Sequence, residues 1–347
     1  MLRPELRPKL RPELRHDFMS DNTAPVAPEA MAAVLAANAG FVPSYGADPF
    51  TARAADLIRQ LLDADAEVRF VASGTAANAI ALAALCRPFE SVLAHEHAHA
   101  ATDETGAPGF FGHGLGMIPL PGANGRIDAA ALDAALAQPE NGHVQSPGAL
   151  SLTNATEYGA VYSAQVLGGL IGAAKAKGVG VHLDGARIFN AAAAGFDLVG
   201  IRPLGVDILA VGGTKAGMPP TEALAVFDRK LAHRLDARLK QSGQLPSKGR
   251  FYAAPFIGML EDGAALRHAA HANAMASRLA AAMSFALNHP AESSGVFVEM
   301  DEPTRLRLEA LGWASSRFLD GSVRFMCSWA TTPEAVDELA EALKAVR

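Results

Sequence analysis

The chain has 347 residues, 50% of them hydrophobic and 19% charged, enough to bury one large core with a smaller satellite. Its formal net charge of -6 lacks the basic surplus that nucleic-acid binding uses, and no uninterrupted apolar run is long enough to cross a bilayer. Cys86 and Cys327 stand singly in apolar settings, which fits reduced thiols in a cytoplasmic protein rather than a disulfide or a metal pair.

In chain order, residues 1–17 (MLRPELRPKLRPELRHD) repeat an LRPx unit. Proline at this spacing prevents a helix, and the charges break any signal-peptide core, so a disordered tail is expected. From residue 18 the pattern alternates. Pro28 to Asn38 opens with Pro and Glu, a helix start, and Thr51 to Ala64 has Thr51 as a candidate N-cap before apolar residues at helical spacing. VRFVA reads as a strand, AANAIALAALC as a helix, SVLAH and MIPL as strands, and DAAALDAALAQ as a helix. ALSLT, VGVHLDGAR, VDILAVGG and EALAVFD are further strands, with the helix SAQVLGGLIGAAKAKG after the first of them. This alternation predicts a mainly parallel sheet covered on both faces, in a large domain spanning 18–254. Residues 255–347 form the rest: a long Ala-rich helical region to about residue 288, then VFVEMD, a short helix, SVRFMCSW and a final amphipathic helix. They predict a small C-terminal α/β domain.

Three segments fall at strand ends, where ligands bind in open α/β sheets. In VASGTAANAIALAAL the strand stops at Ala72, Ser73-Gly74-Thr75 turns tightly, and a helix starts at once. Free N–H groups and the helix dipole there suit a phosphate, although the same hydroxyls serve equally as helix caps. In HLDGARIFNA, His182 and Asp184 lie on one side of a strand and Arg187 follows. Asp184 is either a cap for the next turn or the partner of a cationic ligand nitrogen. In VDILAVGGTKAGMP, Lys215 ends an apolar run among glycines. Alone it reads as a surface lysine in a loop; partly desolvated, its amine becomes a nucleophile able to form a Schiff base. A phosphate cradle, an acid for a ring nitrogen and, about thirty residues later, a Schiff-base lysine are together the parts that pyridoxal 5'-phosphate (PLP) requires.

SDNTAPVAPEAM (Ser20 to Met31), YGADPFT, SGTAANAIAL, the HxxxxExG of His99 to Gly106, HLDGARIFNA, GGTKAGMP and SVRF at Arg324 follow one another along the chain. On these motifs the chain resembles the L-threonine aldolases, in the β-eliminating lyase group of fold-type-I PLP enzymes. The resemblance implies retro-aldol cleavage of L-threonine and related β-hydroxy-α-amino acids to glycine plus an aldehyde. It implies that Gly74 and Thr75, helped by Arg250, hold the cofactor phosphate. His99 would stack on the ring, Asp184 would pair with its nitrogen, and Lys215 would anchor it covalently. Ser20, Arg187 and Arg324 would grip the substrate carboxylate. It further implies a homo-oligomer, dimer or tetramer, with Tyr45 contributing across a subunit contact. One segment departs from the common pattern: SLTNATEYGAVYS places Asn154, Thr156 and Glu157 where many relatives carry Glu-Asn-Thr-His. This resembles a bacterial branch acting on bulkier substrates such as phenylserine.

His95, His97 and His99 alternate, so in a strand they would share a face and could hold a metal for a hydrolase. No HExxH pattern accompanies them, and a stacking His99 with two satisfied neighbours is the preferred reading, without a metal. His97 or His99 then serves as the proton acceptor. A different PLP reaction on the same scaffold, transamination or β-elimination, is the nearest competing function.

Overall fold

The computed structural model describes residues 14–139, 141–233 and 235–347; the LRPx repeat through residue 13 lies outside them. Seven strands form the main sheet: β1 (Glu67–Val71), β2 (Glu90–His95), β3 (Gly116–Leu120), β4 (Ser146–Thr153), β5 (Gly180–Gly185), β6 (Ile208–Gly212) and β7 (Glu222–Val226). Their order is β1-β7-β6-β5-β4-β2-β3. β2 to β6 pair in parallel with helices between them, while β7 runs antiparallel between β6 and β1. Connection length explains the exception. Only residues 213–221 join β6 to β7, too few for the crossover of a dozen or more that a parallel partner needs. Every position of β6 and β7 is buried, as continuous apolar strands covered on both faces must be.

Two helix boundaries differ from the sequence expectation. Asp48, not Thr51, caps the helix Pro49–Leu62: its carboxylate accepts the Thr51 N–H at 2.9 Å, and Pro49 takes the first position, where no N–H is needed. The long helical region from 255 to 288 is two helices, Arg250–Leu260 and Ala264–Ala282, broken at Gly263, whose φ of +67° a helix cannot take.

The small unit carries an antiparallel sheet of β8 (Gly295–Val298), β9 (Ser316–Arg317) and β10 (Val323–Met326), with β10 central. The two-residue β9 is too short to leave a periodic signal. The two hydrophobic cores meet along the helix Ala264–Ala282. Ala253, Phe256 and Ala265 belong to the main core, whereas Ala276 and Leu279, farther along the helix Ala264–Ala282, belong to the small one.

The N-terminal segment also joins the small unit. Phe18 is 1% exposed, its ring lies 5.7 Å from that of Trp313, and its carbonyl accepts the Met326 N–H at 2.8 Å. Arg15, within the expected tail, donates its N–H to Gly312 O at 2.7 Å and sets its guanidinium 4.0 Å over Trp313. The segment is thus anchored from residue 15 onward, and it is already tied to β10 where it reaches Asp21, which lines a small cavity with Lys215. Phe18→Ala should therefore cost roughly 3–5 kcal/mol in urea unfolding. A loss indistinguishable from that of a surface substitution would show that the anchor is not part of the core.

Candidate active site

β1, β2, β5 and β6 run in one direction, so the loops that follow them share one edge of the sheet. Asp184, near the end of β5, is 6% exposed. Its Oδ1 accepts the Ala186 N–H and its Oδ2 accepts the Asn78 amide, each at 2.9 Å. Burial pushes this carboxyl upward, but His182, Lys215 and the two N–H donors outweigh it and hold it below the usual carboxylate range. The same Asn78 nitrogen donates to Glu104 Oε1 at 2.8 Å, and that oxygen meets His99 Nδ1 at 2.9 Å. Glu104 holds His99 above the ordinary imidazole range, against burial. One network therefore joins the acid of the floor to the imidazole of the wall.

The helix Gly74–Leu85 starts at this edge. Ser73 spends its hydroxyl on the cap, accepting the Ala76 N–H at 3.2 Å. The N–H groups of Gly74 and Thr75, in the first turn, have no partner within the helix. Apart from its chain neighbours and its own helix backbone, no atom of the described residues lies within 4 Å of where a Cβ on Gly74 would stand.

Lys215 occupies the single turn Thr214–Ala216 after β6 and faces a small cavity shared with Asp21, Asn190, His268 and Trp329. Glycine is required here by contact. A Cβ on Gly212 would lie 2.2 Å from the Ala186 carbonyl, in the loop after Asp184, and Gly217 combines a φ of +99° with a Trp329 ring 2.8 Å from its would-be Cβ. Below the lysine turn, Glu222 on β7 accepts the Gly213 N–H at 2.6 Å. Burial pushes its carboxyl up to about 7, despite the opposing pull of that N–H and of Lys215.

Of the expected carboxylate grips, Arg187 does not offer an open fork. Its Nε and Nη2 donate to the two oxygens of buried Asp21 at 2.7 and 2.9 Å. Ser20 Oγ accepts the Asn22 N–H at 3.2 Å. Arg324 on β10 is more open: its Nη2 donates to Met19 O at 3.3 Å, and its buried Nε has no partner among the described residues. With His97, His99, Phe318 and Leu319 it lines a cleft of ≈ 330 Å³.

Tyr45 and Arg250 lie apart from this cleft. Tyr45 lines a groove with Phe70 and Tyr252, under the Lys240 ammonium, and Arg250 lines another with Phe41 and Lys248. The three histidines do not share a strand face, because β2 ends at His95. His95 Nε2 meets Gly122 O at 3.0 Å, His97 Nδ1 meets the Tyr158 hydroxyl at 2.6 Å, and His99 turns to Glu104. Among the described residues no cluster of His, Cys, Asp and Glu could hold a metal. In the departing segment, Asn154 accepts the Tyr162 N–H and Thr156 donates to Asn124 O, so both serve the loop. Glu157 alone reaches the cleft, accepting the His99 N–H and the Thr153 hydroxyl at 3.0 Å each.

Asp21, Asn78, Glu104, Tyr158 and Glu222 were given no role by sequence reasoning. Asn78 could have been found, since it lies four residues after Gly74 and so on the same face of its helix. Glu104 is the acid of the HxxxxExG motif.

Under Asp184, His182 is fully buried and bonded to Ser151 Oγ at 2.9 Å; burial pushes it from 6.5 down to about 4. A neutral buried imidazole stabilises the fold fully above the unfolded value near 6.5, and this is lost as pH falls toward 4, where the native ring must also charge. The loss is on the order of 3 kcal/mol. Denaturant midpoints should therefore fall more between pH 7 and pH 4.5 in the unsubstituted protein than in His182→Asn; parallel pH profiles would contradict this.

A family model described as beta-eliminating lyase matches residues 17–303. The chain is 43% identical over 340 residues to the low specificity L-threonine aldolase of a Pseudomonas species (strain NCIMB 10558), covering 95% of this chain and 97% of that one. Among solved structures, the Leishmania major threonine aldolase superposes with a TM-score of 0.89 at 29% identity, covering 95% and 99% of the two chains. N-Succinyldiaminopimelate aminotransferase from Mycobacterium tuberculosis, at 20% identity and a TM-score of 0.70 over 93% of this chain and 91% of its own, shares the fold. The chain belongs to the β-eliminating lyase family.

Proposed function

We propose that this chain is a PLP-dependent aldolase that cleaves L-threonine and related β-hydroxy-α-amino acids to glycine and an aldehyde. The observation that carries the reading is a buried, ionised Asp184 on β5 with Lys215 just past the end of the neighbouring β6, in a chain 43% identical to an L-threonine aldolase. The residues fit the cofactor. Asp184 keeps both oxygens on neutral N–H donors, so it can also accept from a protonated ring nitrogen. The helix start at Gly74 and Thr75 offers N–H groups beside open space, as a phosphate needs. Lys215 supplies the amine that anchors the aldehyde group.

When bound, PLP withdraws electrons from the substrate's α-carbon. The chain supplies the rest. Asp184 holds a proton on the ring nitrogen by staying charged. Arg324 takes the substrate carboxylate, and in doing so sets which Cα bond is presented for cleavage. His99 borders the reacting region with its ring pinned by Glu104. Phe318 and Leu319 give the cleft an apolar wall, which supports acceptance of an aryl β-substituent such as that of phenylserine.

Tyr45 and Arg250 lie outside the cleft within one chain, and Phe41, beside Arg250, is fully exposed. This supports a site completed by a second copy, with Tyr45 and Arg250 of one chain facing the cleft of the other. The buried free thiols of Cys86 and Cys327 support residence in the reducing cytoplasm.

An assay on L-threonine and L-phenylserine tests the reading. Acetaldehyde and benzaldehyde should appear with equimolar glycine and no keto acid, and Lys215→Ala should release neither. Phe318→Leu should weaken use of phenylserine roughly tenfold more than use of threonine. A keto acid in place of aldehyde would instead identify a transaminase, and equal losses on both substrates would remove Phe318 from the β-substituent wall.

A further inference from the structure

Two imidazoles line the cleft, and each has one ring nitrogen committed to a partner, so the other nitrogen's state follows. Tyr158 is 2% exposed and its hydroxyl lies 2.6 Å from His97 Nδ1, its sole hydrogen-bond partner among the described residues. Burial pushes the phenol upward, so it keeps its proton. A buried O–H left without an acceptor costs about 1–3 kcal/mol, so the hydroxyl donates and Nδ1 accepts. A neutral His97 then carries its hydrogen on Nε2. The neighbouring His95 is set in the same tautomer, accepting the His97 backbone N–H on Nδ1 at 3.1 Å and donating Nε2–H to Gly122 O at 3.0 Å.

His99 is set the opposite way. Glu104 Oε1 already accepts from the Asn78 amide, which marks that oxygen as an acceptor, so His99 Nδ1 must donate to it. A neutral His99 therefore has a lone pair on Nε2. Asp103 Oδ2 stands 3.5 Å from that nitrogen, and with Glu104 it stabilises the ring once it is protonated.

We propose that Tyr158 is a positioning residue that fixes His97 as a hydrogen-bond donor to the substrate's β-oxygen, leaving His99 Nε2 to accept the β-hydroxyl proton. This rests on the aldolase reading. As the Cα–Cβ bond breaks, the O–H electron pair becomes the second C–O bond of the aldehyde and the Cα–Cβ pair stays with the glycine fragment. The proton held on His99 Nε2 then goes to Cα, so the histidine ends as it began. His97 Nε2–H stabilises the negative charge that gathers on oxygen in between. The Tyr158 ring is clamped by His289 at 4.2 Å, Phe318 at 5.2 Å and Phe297 at 5.7 Å, so the hydroxyl can be removed without removing the packing.

The test is Tyr158→Phe in the holoenzyme, with histidine-selective nitrogen NMR, His97 being assigned from His97→Gln. The unsubstituted protein should show His97 protonated on Nε2 alone, and Tyr158→Phe should show a mixture of tautomers. On L-threonine, kcat should fall on the order of 10- to 100-fold with KM little changed, because the donor acts on charge present only in the transition state. His97→Gln, which retains an N–H donor, should keep more activity than His97→Ala. A proton on His97 Nδ1 in the unsubstituted protein, or an unchanged tautomer in Tyr158→Phe, overturns the proposal, as does an unchanged kcat. Failure of the unsubstituted enzyme to release an aldehyde overturns the aldolase reading instead.

Discussion

The candidate site depends on keeping a nearly buried carboxylate charged. An isolated buried charge is costly, and an acid so placed would ordinarily take up a proton. Asp184 avoids this because its two oxygens accept hydrogen bonds from Ala186 and Asn78, while Lys215 and His182 bias it electrostatically. Asn78 then spends its second hydrogen on Glu104, which orients His99. Three separate parts of the chain (β5, the helix Gly74–Leu85 and the loop carrying Glu104) are thereby held to one geometry. Loosening any of them would disturb both Asp184 and His99, the groups to which the proposed function gives the ring nitrogen and the substrate.

The glycines around Lys215 belong to the same constraint. Gly212 is where the loop after β5 presses on the end of β6, with no room for a side chain against the Ala186 carbonyl. Asp184 on β5 and Lys215 just past the end of β6 can therefore stand close, with the loops that carry them in contact. Gly217 turns the chain under Trp329, whose indole donates to Pro25 O and so ties the lysine loop to the N-terminal segment. That segment is held by Phe18 and Arg15 to the small unit, which also supplies Arg324. Asp21 in turn pairs with Arg187 after β5, so this one segment bridges the small unit and the main sheet.

Much of this was legible in the sequence, for a physical reason. Apolar runs ending in Gly, Ser or Asp mark strand ends, and in an open α/β sheet that is where ligands bind, so Gly74, Asp184 and Lys215 could be picked out before any coordinates. Pairings between distant residues could not. Nothing local in SDNT says that Asp21 will take the fork of Arg187, 166 residues away, and nothing in TEYG says that Tyr158 will reach His97 across 61. The alternation of His95, His97 and His99 would put them on one face only within a strand, and the strand stops at His95. Helix breaks were missed where one residue decides, as Gly263 does. Tyr45 and Arg250 sit in recognisable motifs but line other grooves, and no local pattern says which groove a side chain will line.

The charge on Asp184 is the claim on which the remainder rests, and it can be observed at the cofactor. In holoenzyme prepared with ring-nitrogen-labelled PLP, the ¹⁵N shift should be that of a protonated pyridinium near neutral pH and should move to the unprotonated position in Asp184→Ala. An unprotonated ring nitrogen in the unsubstituted protein, or the same shift in both, would contradict the account.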